Sequence, residues 1–260
     1  MRREYKYLVP NHLLPYLRNR LRGYVLEDDH VQATGQRSYT VRSIYMDTRN
    51  LSEYYKKLSG TYSRVKVRIR GYNQPDEKSM VFLELKRKRD MCISKDRAPV
   101  NFSNLESLLV TRDVERWIHQ RSDFPYALDH ARHFLYYLKR GNMQPVVLVT
   151  YEREAFIGRF DHQERITFDQ SLRCIGQPRY EDLYQDCETQ PVLSNHFILE
   201  VKTNNEFPRW MSPIISDLGL RYQALSKYTM SMDARHKLKL PDHTIWTQAP
   251  MLKSGICLTG

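Results

Sequence analysis

The stretch 62–88 alternates charged and apolar residues, and this alternation constrains the fold more than any other feature of the chain. Its first half carries basic residues at every second position, namely Arg64, Lys66, Arg68 and Arg70. Because successive side chains of a β-strand point to opposite faces, these four cations share one face and three aliphatic residues fill the other. After a turn at 73–76 a second strand repeats the pattern, with Glu84, Lys86 and Lys88 on one face and two leucines on the other.

Paired as an antiparallel hairpin, the two strands present one apolar surface and one surface dense in cations. Like charges that face each other across strands destabilise a sheet, so this surface favours an anion that carries several charges. The alternative is an ordinary solvated face, because half-buried strands commonly expose long Lys and Arg side chains to water. The recurrence of the pattern in other strands favours the anion.

The net charge of the 260-residue chain is +11, which favours nucleic acid, anionic membrane or phosphate-rich partners. A hydrophobic content of 41% suffices for a globular core. No apolar run approaches the roughly 20 residues that span a bilayer, and the N-terminus lacks the apolar core of a signal peptide. The four cysteines include no C-x-x-C pair, which indicates neither a zinc site nor a disulfide framework. We therefore expect a cytoplasmic protein.

Periodicity divides the rest of the chain into predicted elements. Further strands are predicted at 2–9, 37–47, 93–97, 145–159, 165–172 and 195–203. Helices are predicted between Asn11 and Gly23, between Asp47 and Gly60, and at 103–117, 126–140, 208–218 and 226–236. A polar surface loop is predicted at 176–190. We expect one catalytic domain over 1–237 and a C-terminal tail at 238–260.

About eight strands with helices between them predict an α+β fold. Several strands carry mixed acidic and basic residues on one face and apolar residues on the other, whereas the helices carry apolar stripes that need a partner surface. If the helices cover the apolar outside of a closed sheet, the charged residues line its interior. We therefore predict a closed eight-stranded antiparallel β-barrel with helices packed outside and a basic tunnel inside.

The candidate phosphate-binding residues are cations from separate strands and one helix start. They are Lys6, Arg68, Arg70, Lys86, Lys95, Arg153, Arg165 and Lys227. Arginine binds phosphate oxygens through two parallel hydrogen bonds and lysine adds a point charge, so linked phosphates would neutralise the cluster. Ser226, at the same helix start as Lys227, could bind a phosphate through backbone N–H groups or could simply cap the helix.

Glu84 and Glu200 are the acidic residues among these cations, and both are candidate metal ligands. A carboxylate repels a triphosphate unless a divalent cation bridges them, and Mg²⁺ is commonly held by one or two carboxylates together with phosphate oxygens. Glu200 is the preferred ligand. Its alternative role is an ion pair with Lys202 or with a neighbouring strand. Such a constellation suits phosphoryl transfer, which requires positioning and charge neutralisation.

Eight short motifs in this order resemble the VTC domain, the polyphosphate polymerase branch of the triphosphate tunnel metalloenzymes, over about residues 1–235. They are Glu4-Tyr-Lys6-Tyr7, Ser43-Ile-Tyr45-Met-Asp47-Thr48, Val67-Arg68-Ile-Arg70, Leu83-Glu84-Leu-Lys86, Tyr151-Glu-Arg153-Glu-Ala-Phe156, Arg165-Ile-Thr-Phe-Asp169, Leu199-Glu200-Val-Lys202 and Ser226-Lys227-Tyr228. The resemblance implies a triphosphate tunnel fold, ATP as phosphoryl donor, Mn or Mg, and a polyphosphate chain that grows through the tunnel. It also implies that the eight cations and Ser226 bind phosphates and that Glu200 binds the metal.

One departure concerns the start of the chain. Hydrolytic members of the superfamily begin with E-x-E-x-K, and here Arg2 stands in place of the first Glu. This favours a polymerase without excluding a triphosphatase that uses water as acceptor. The third alternative is a polyanion-binding or RNA-binding module without turnover, although we expect no nucleic-acid partner. Eukaryotic family members also carry a phosphate-sensing domain and membrane helices. We expect neither in this chain, and a membrane partner protein is an open expectation.

Overall fold

The computed structural model describes residues 3–76, 79–89, 92–186 and 188–237, and within these ranges the chain forms ten strands. They are β1 (Arg3–Pro10), β2 (Val25–Glu27), β3 (Tyr39–Asp47), β4 (Ser63–Tyr72), β5 (Met80–Arg89), β6 (Cys92–Asn101), β7 (Gln144–Gly158), β8 (Arg165–Gly176), β9 (Gln190–Pro191) and β10 (His196–Thr203). Eight of them pair antiparallel in the order β1-β10-β8-β7-β3-β4-β5-β6, while β2 pairs with β7 and β9 with β8. The predicted eight-stranded antiparallel path is therefore present.

The predicted closure of the barrel is not confirmed. In the described ranges β1 and β6, at the two ends of the path, share no ladder. The free edge of β1 instead meets a later segment, because Gln223 N donates to Lys6 O at 2.9 Å and Tyr222 forms a bridge with Tyr7. The sheet is strongly curved all the same, since Lys6 of β1 and Lys95 of β6 line the same cavity.

The helices of the described residues lie mostly on the outer, apolar face of this sheet. They are α1 (Leu14–Leu21), α2 (Asp29–Thr34), α3 (Ser52–Leu58), α4 (Leu105–Thr111), α5 (Val114–Trp117), α6 (Ala127–Arg140), α7 (Met211–Asp217) and α8 (Lys227–Lys237). Helices α4 to α6 form one apolar core with β4, β5 and β6, in which Phe134 and Leu83 are buried. Helices α1 and α7 form a second core with β1, β8 and β10, around Leu17 and Phe197. Within the described ranges no helix is long and apolar enough to cross a membrane.

Helix α8 departs from the prediction that helices pack outside, because it lies against the inner face of the sheet. Its Tyr228 stacks on Tyr45 of β3 with ring centroids 5.2 Å apart, and its Met232 joins a buried cluster with Val149 and Ile198. The Tyr228 hydroxyl donates to Asp47 Oδ2 at 2.5 Å. The inner face carries apolar residues over part of its area, so a helix can fill that part and leave the remainder open.

Asp47 holds the start of α3 from outside the helix, whose N-cap residue is Leu51. Its carboxylate accepts hydrogen bonds from the backbone N–H groups of Glu53 at 3.0 Å and Tyr54 at 2.9 Å, while Thr48 Oγ1 accepts from Ser52 N at 3.0 Å. These bonds satisfy N–H groups that a helix start otherwise leaves unpaired. Together with the bond from Tyr228, they make one carboxylate the link between β3, α3 and α8.

Several predicted elements were wrong in extent. The single helix at 103–117 is two helices, because Arg112 has φ 59° and Asp113 accepts a hydrogen bond from Arg116 N, which starts a new helix. The predicted surface loop at 176–190 contains a 3-10 helix, Tyr180–Tyr184, whose Leu183 is buried in the core. The short elements β2, α2 and β9 were not predicted. The predicted tail at 238–260 lies outside the described residues.

Candidate active site

The part of the interior that α8 leaves open is a cavity of about 120 Å³ enclosed by two walls. The basic wall comes from β4, β5 and β6 and consists of Lys66, Arg68, Arg70, Glu84, Lys86 and Lys95. The mixed wall comes from β1, β7, β10 and α8 and consists of Glu4, Lys6, Arg153, Glu200, Lys202 and Lys227. Tyr45, Tyr151 and Ser226 complete the lining.

The carboxylate of Glu84 contacts three cations of the basic wall. Its carboxylate, 3% exposed, lies 2.5 Å from Arg68 Nη2, 3.8 Å from Arg70 Nε and 3.5 Å from Lys95 Nζ. Burial would raise the pKa of Glu84, but Arg68, Arg70, Lys95 and Arg97 together hold it well below its usual range. The contacts make Glu84 an anchor that orients the cations. Metal ligation by Glu84 stays a prediction, and a metal there would have to compete with these cations.

Lys66 and Lys86 give the basic wall its excess of positive charge. They are directly opposite each other in the β4–β5 register, and neither forms an ion pair with another described residue. Burial lowers the pKa of Lys66 to about 8, and the neighbouring Lys6, Arg68 and Lys86 add to this effect.

The cations of the basic wall also act on Tyr45, whose hydroxyl accepts a hydrogen bond from Arg68 Nη1 at 2.9 Å. Burial opposes ionisation of Tyr45, but Arg68, Lys66 and Arg70 outweigh it and lower its pKa to about 7.

Asp169 orients cations of the mixed wall, as Glu84 orients those of the basic wall. This fully buried carboxylate of β8 lies 2.6 and 2.8 Å from the Nε and Nη2 atoms of Arg153 and 2.5 Å from Lys227 Nζ. Burial alone would lower the pKa of Lys227, yet the adjacent Asp169 raises it, so the lysine stays charged. Asp169 thereby aims two cations from different elements into one cavity. Sequence reasoning placed it on the face of Arg165 but did not identify this role.

Glu200 and Glu4 form a pair of carboxylates on the mixed wall. Lys202 Nζ lies 3.1 Å from Glu200 Oε1 and 3.7 Å from Glu4 Oε1, and Lys6 Nζ lies 3.4 Å from Glu4 Oε2. Burial would raise the pKa of Glu200, but Lys202, Lys6 and Lys227 hold it well below its usual value. The ion pair with Lys202, the alternative reading from the sequence, is therefore present.

The carboxylates of the mixed wall are the available donors for a divalent metal in this cavity. The described ranges contain no cluster of three or more His, Cys, Asp and Glu side chains that could hold a metal by themselves. The pair Glu4 and Glu200 does fit Mg²⁺ or Mn²⁺, because such ions are commonly held by one or two carboxylates with phosphate oxygens and water completing the shell. Glu200 and Glu4 would hold the metal, and only together with a phosphate ligand.

Ser226 and Lys227 place the start of α8 at the cavity. Ser226 Oγ accepts a hydrogen bond from Thr229 N at 3.5 Å, so Ser226 caps the helix, and both residues also line the cavity. Backbone N–H groups and the helix dipole at this end favour a bound anion. The two roles considered from the sequence are thus compatible.

Of the predicted site residues, all but one line the cavity. Those brought together are Lys6, Arg68, Arg70, Glu84, Lys86, Lys95, Arg153, Glu200, Ser226 and Lys227. Arg165 does not line it; its half-exposed guanidinium lies 3.5 Å from Asp28 Oδ2. Sequence reasoning missed Glu4, Lys66, Lys202, Tyr45 and Tyr151. Alternation could have found the three charged residues, whereas nothing in the pattern distinguishes the two tyrosines from core residues.

The cavity continues into an adjoining pocket of about 340 Å³. Lys6, Lys66 and Lys86 line both spaces, and the pocket adds Lys57, Arg64 and Lys88. Arg64 and Lys88 are directly opposite each other in the β4–β5 register, as Lys66 and Lys86 are. None of the three added cations forms an ion pair with a described residue, and Glu53, which also lines the pocket, is already held by Lys56 Nζ at 2.6 Å and by Val65 N at 2.8 Å. The row of cations therefore extends beyond the cavity.

Comparison with known proteins gives a family match over nearly the whole chain. The VTC domain model matches residues 1–236. No match was found among curated proteins. Among solved structures, a protein from Hippeastrum described as a proposed adenylyl cyclase with a dominant triphosphatase activity is 12% identical, with a TM-score of 0.49, and the alignment covers 90% of this chain and 96% of that one. A proposed adenylate cyclase from Vibrio parahaemolyticus is also 12% identical, with a TM-score of 0.41 and coverage of 88% and 96%. On the family match over residues 1–236, this chain belongs to the VTC domain family.

Proposed function

We propose that this chain is a metal-dependent polyphosphate polymerase, which transfers the γ-phosphate of ATP to the end of a polyphosphate chain. The observation that carries this proposal is the continuous row of cations that runs from the basic wall into the adjoining pocket. A triphosphate needs only the cavity, where Arg68, Arg70 and Lys95 surround Glu84. Further out, Arg64, Lys88 and Lys57, which form no ion pair with a described residue, offer binding energy only to a longer anion.

The two walls suggest how the transfer proceeds. In the reaction a terminal oxygen of the polyphosphate forms a bond to the γ-phosphorus of ATP, the bond between that phosphorus and the β,γ-bridging oxygen breaks, and ADP leaves. Arg68, Arg70, Arg153 and Lys227 hold the reacting phosphates in place and neutralise the charge that spreads over their oxygens. Because Glu84 and Asp169 fix these cations before substrate binds, little reorganisation is needed during the reaction. A divalent metal held at Glu200 would supply further neutralisation of the phosphate charge.

The direct test incubates the purified chain with ATP and Mn²⁺ and resolves the products by chain length. We expect an acid-labile polymer longer than the donor. Glu200→Gln should lower its formation by about 100-fold, the cost typical of removing one group that stabilises a developing charge. Glu106→Gln, an exposed acid on α4, is the matched control and should behave as wild type.

Two other outcomes would replace the proposal. Release of orthophosphate without any polymer would identify a triphosphatase on the same fold, with water as acceptor. Salt-dependent binding of polyphosphate or RNA that chelators do not affect, with no turnover, would identify a binding module, because neutralisation of a phosphate backbone needs no metal.

A further inference from the structure

Lys202 has no role in the proposed phosphoryl transfer, yet its ammonium lies inside the cavity between two carboxylates. It lies between the carboxylates of Glu200 and Glu4, at 3.1 Å and 3.7 Å. A second ammonium, that of Lys6, lies 3.4 Å from the other oxygen of Glu4. The side chain of Lys202 is three-quarters buried, so water screens this arrangement only in part.

The charges of these four side chains cancel, and Arg153 Nη2, 4.0 Å from Glu200 Oε2, adds a positive charge beside them. Glu4 and Glu200 contribute two negative charges, and Lys6 and Lys202 contribute two positive ones. Two adjacent carboxylates without such partners would repel each other and attract a divalent cation. With Lys202 between them, an approaching bare cation meets an ammonium that already holds the oxygens it would need.

A phosphate ligand changes this balance. It brings several negative charges into the cavity, which offer Lys202 an alternative partner and give the metal oxygen ligands on the side away from the protein. The carboxylate of Glu200 can then be shared between the ammonium and the metal. The unliganded site and the phosphate-bound site therefore differ in whether a metal is attracted.

We propose that the Lys202 ammonium acts as a resident counter-ion between Glu4 and Glu200, so that a divalent metal enters this site only together with its phosphate ligand. This inference rests on the proposed function for the metal at Glu200. It assigns to Lys202 a positioning and gating role toward the metal rather than contact with the transferred group.

Calorimetric titration of the full chain with Mn²⁺, alone and in the presence of tripolyphosphate, tests the proposal without any turnover. Wild type should bind Mn²⁺ only when tripolyphosphate is present. Lys202→Met should bind Mn²⁺ alone, with an affinity above that of wild type by about tenfold or more, the effect that one charge at this distance has on a neighbouring site. Lys202→Arg keeps the charge and should behave as wild type, as should Lys139→Met on the outer helix α6.

The outcomes separate the inference from the function on which it rests. If wild type binds Mn²⁺ alone as tightly as Lys202→Met does, the inference is wrong while the metal assignment stands. If neither protein binds Mn²⁺ even with tripolyphosphate, the metal assignment itself is wrong. Circular dichroism checks the fold of each variant, and Lys202→Gln replaces Lys202→Met should the latter not fold.

Discussion

The two walls of the cavity are organised in the same way but carry different net charge. In each, a buried carboxylate on one strand fixes cations from its neighbours: Glu84 in the basic wall and Asp169 beside the mixed wall. The basic wall also contains Lys66 and Lys86, which form no ion pair with a described residue. The mixed wall instead contains the carboxylates Glu4 and Glu200, each paired with a lysine. The basic wall is therefore more strongly positive than the mixed wall.

This difference separates two tasks that phosphoryl transfer requires. A strongly positive wall binds the phosphates, because the anion supplies the neutralisation that the wall lacks. The less positive mixed wall gains less from an anion, and its carboxylates can bind a metal once a phosphate is present. Substitutions in the basic wall should thus change phosphate affinity, whereas substitutions in the mixed wall should change metal binding and turnover.

The largest effect is expected from removing the anchor of the basic wall. Glu84→Gln leaves the surrounding cations buried without their counter-charge, which should lower the free energy of unfolding by about 3–5 kcal/mol. Chemical denaturation at neutral pH measures this loss, and Glu106→Gln on the protein surface provides the control. Equal stability of Glu84→Gln and wild type would contradict the role of Glu84 as an anchor.

The same substitution has a defined pH dependence. Because the pKa of Glu84 is held well below its usual range, its contribution to stability is complete above the unfolded-state value of about 4.3. The contribution is lost as the pH falls below that value toward the folded-state pKa. The difference in stability between wild type and Glu84→Gln should therefore shrink in acid.

A smaller effect is expected from removing an unpaired cation. Lys86→Ala should weaken tripolyphosphate binding by about tenfold, the loss of one hydrogen bond to a charged group. Its stability should be unchanged or slightly higher, because the substitution relieves repulsion from Lys66 and Lys95 across the sheet. Calorimetric titration with tripolyphosphate measures the affinity.

Arg165→Ala is the matched control for Lys86→Ala, since it removes the same charge from a residue that lies outside the cavity. We expect an affinity close to that of wild type. If both variants weakened binding equally, affinity would follow net charge alone and the distinction between the two walls would lose its support.

The smallest effect is expected from Tyr45, which lies beside the basic wall. Since its pKa is lowered to about 7, the hydroxyl becomes a phenolate as the pH rises past neutrality and repels phosphate. Tyr45→Phe should therefore bind tripolyphosphate about threefold more tightly than wild type at mildly alkaline pH and equally well below neutrality. A remaining decline in both proteins is expected from Lys66, whose pKa is about 8.

Tyrosinate absorbance in the near ultraviolet gives an independent check on Tyr45. Wild type should show absorbance that develops around neutral pH and disappears on addition of tripolyphosphate, and Tyr45→Phe should show neither change. Identical absorbance profiles for the two proteins would assign the pH dependence to Lys66.

Much of the candidate site can be predicted from the alternation of charged and apolar residues along the strands. The residues that this pattern placed wrongly have identifiable physical causes. Lys66 stands in the same row as Arg68 and Arg70, so its place in the cavity was available from the pattern. Arg165 shares a face with Asp169 and is directly opposite Lys202, which lines the cavity, yet its guanidinium lies 3.5 Å from Asp28 Oδ2 instead. Periodicity gives the face of a strand and not the direction that a long side chain takes from it, so Arg165 was grouped with residues it does not meet. Helix α8 was predicted near its observed limits, but nothing in its sequence indicated that it packs inside.

The sequence by itself determined which side chains share a face, because the two-residue period of a strand is a local property of the backbone. It therefore determined which segments form strands, which of their faces are cationic, and the family resemblance. Tertiary structure alone decided which charges meet, since pairs such as Asp169 with Lys227 and Glu4 with Lys202 join residues far apart in the chain. It also decided that the sheet stays open between β1 and β6, because the edge of β1 is occupied by Tyr222 and Gln223 rather than by another strand of the sheet. The strength of an ionic contact depends on distance and burial, and only the packed chain fixes these.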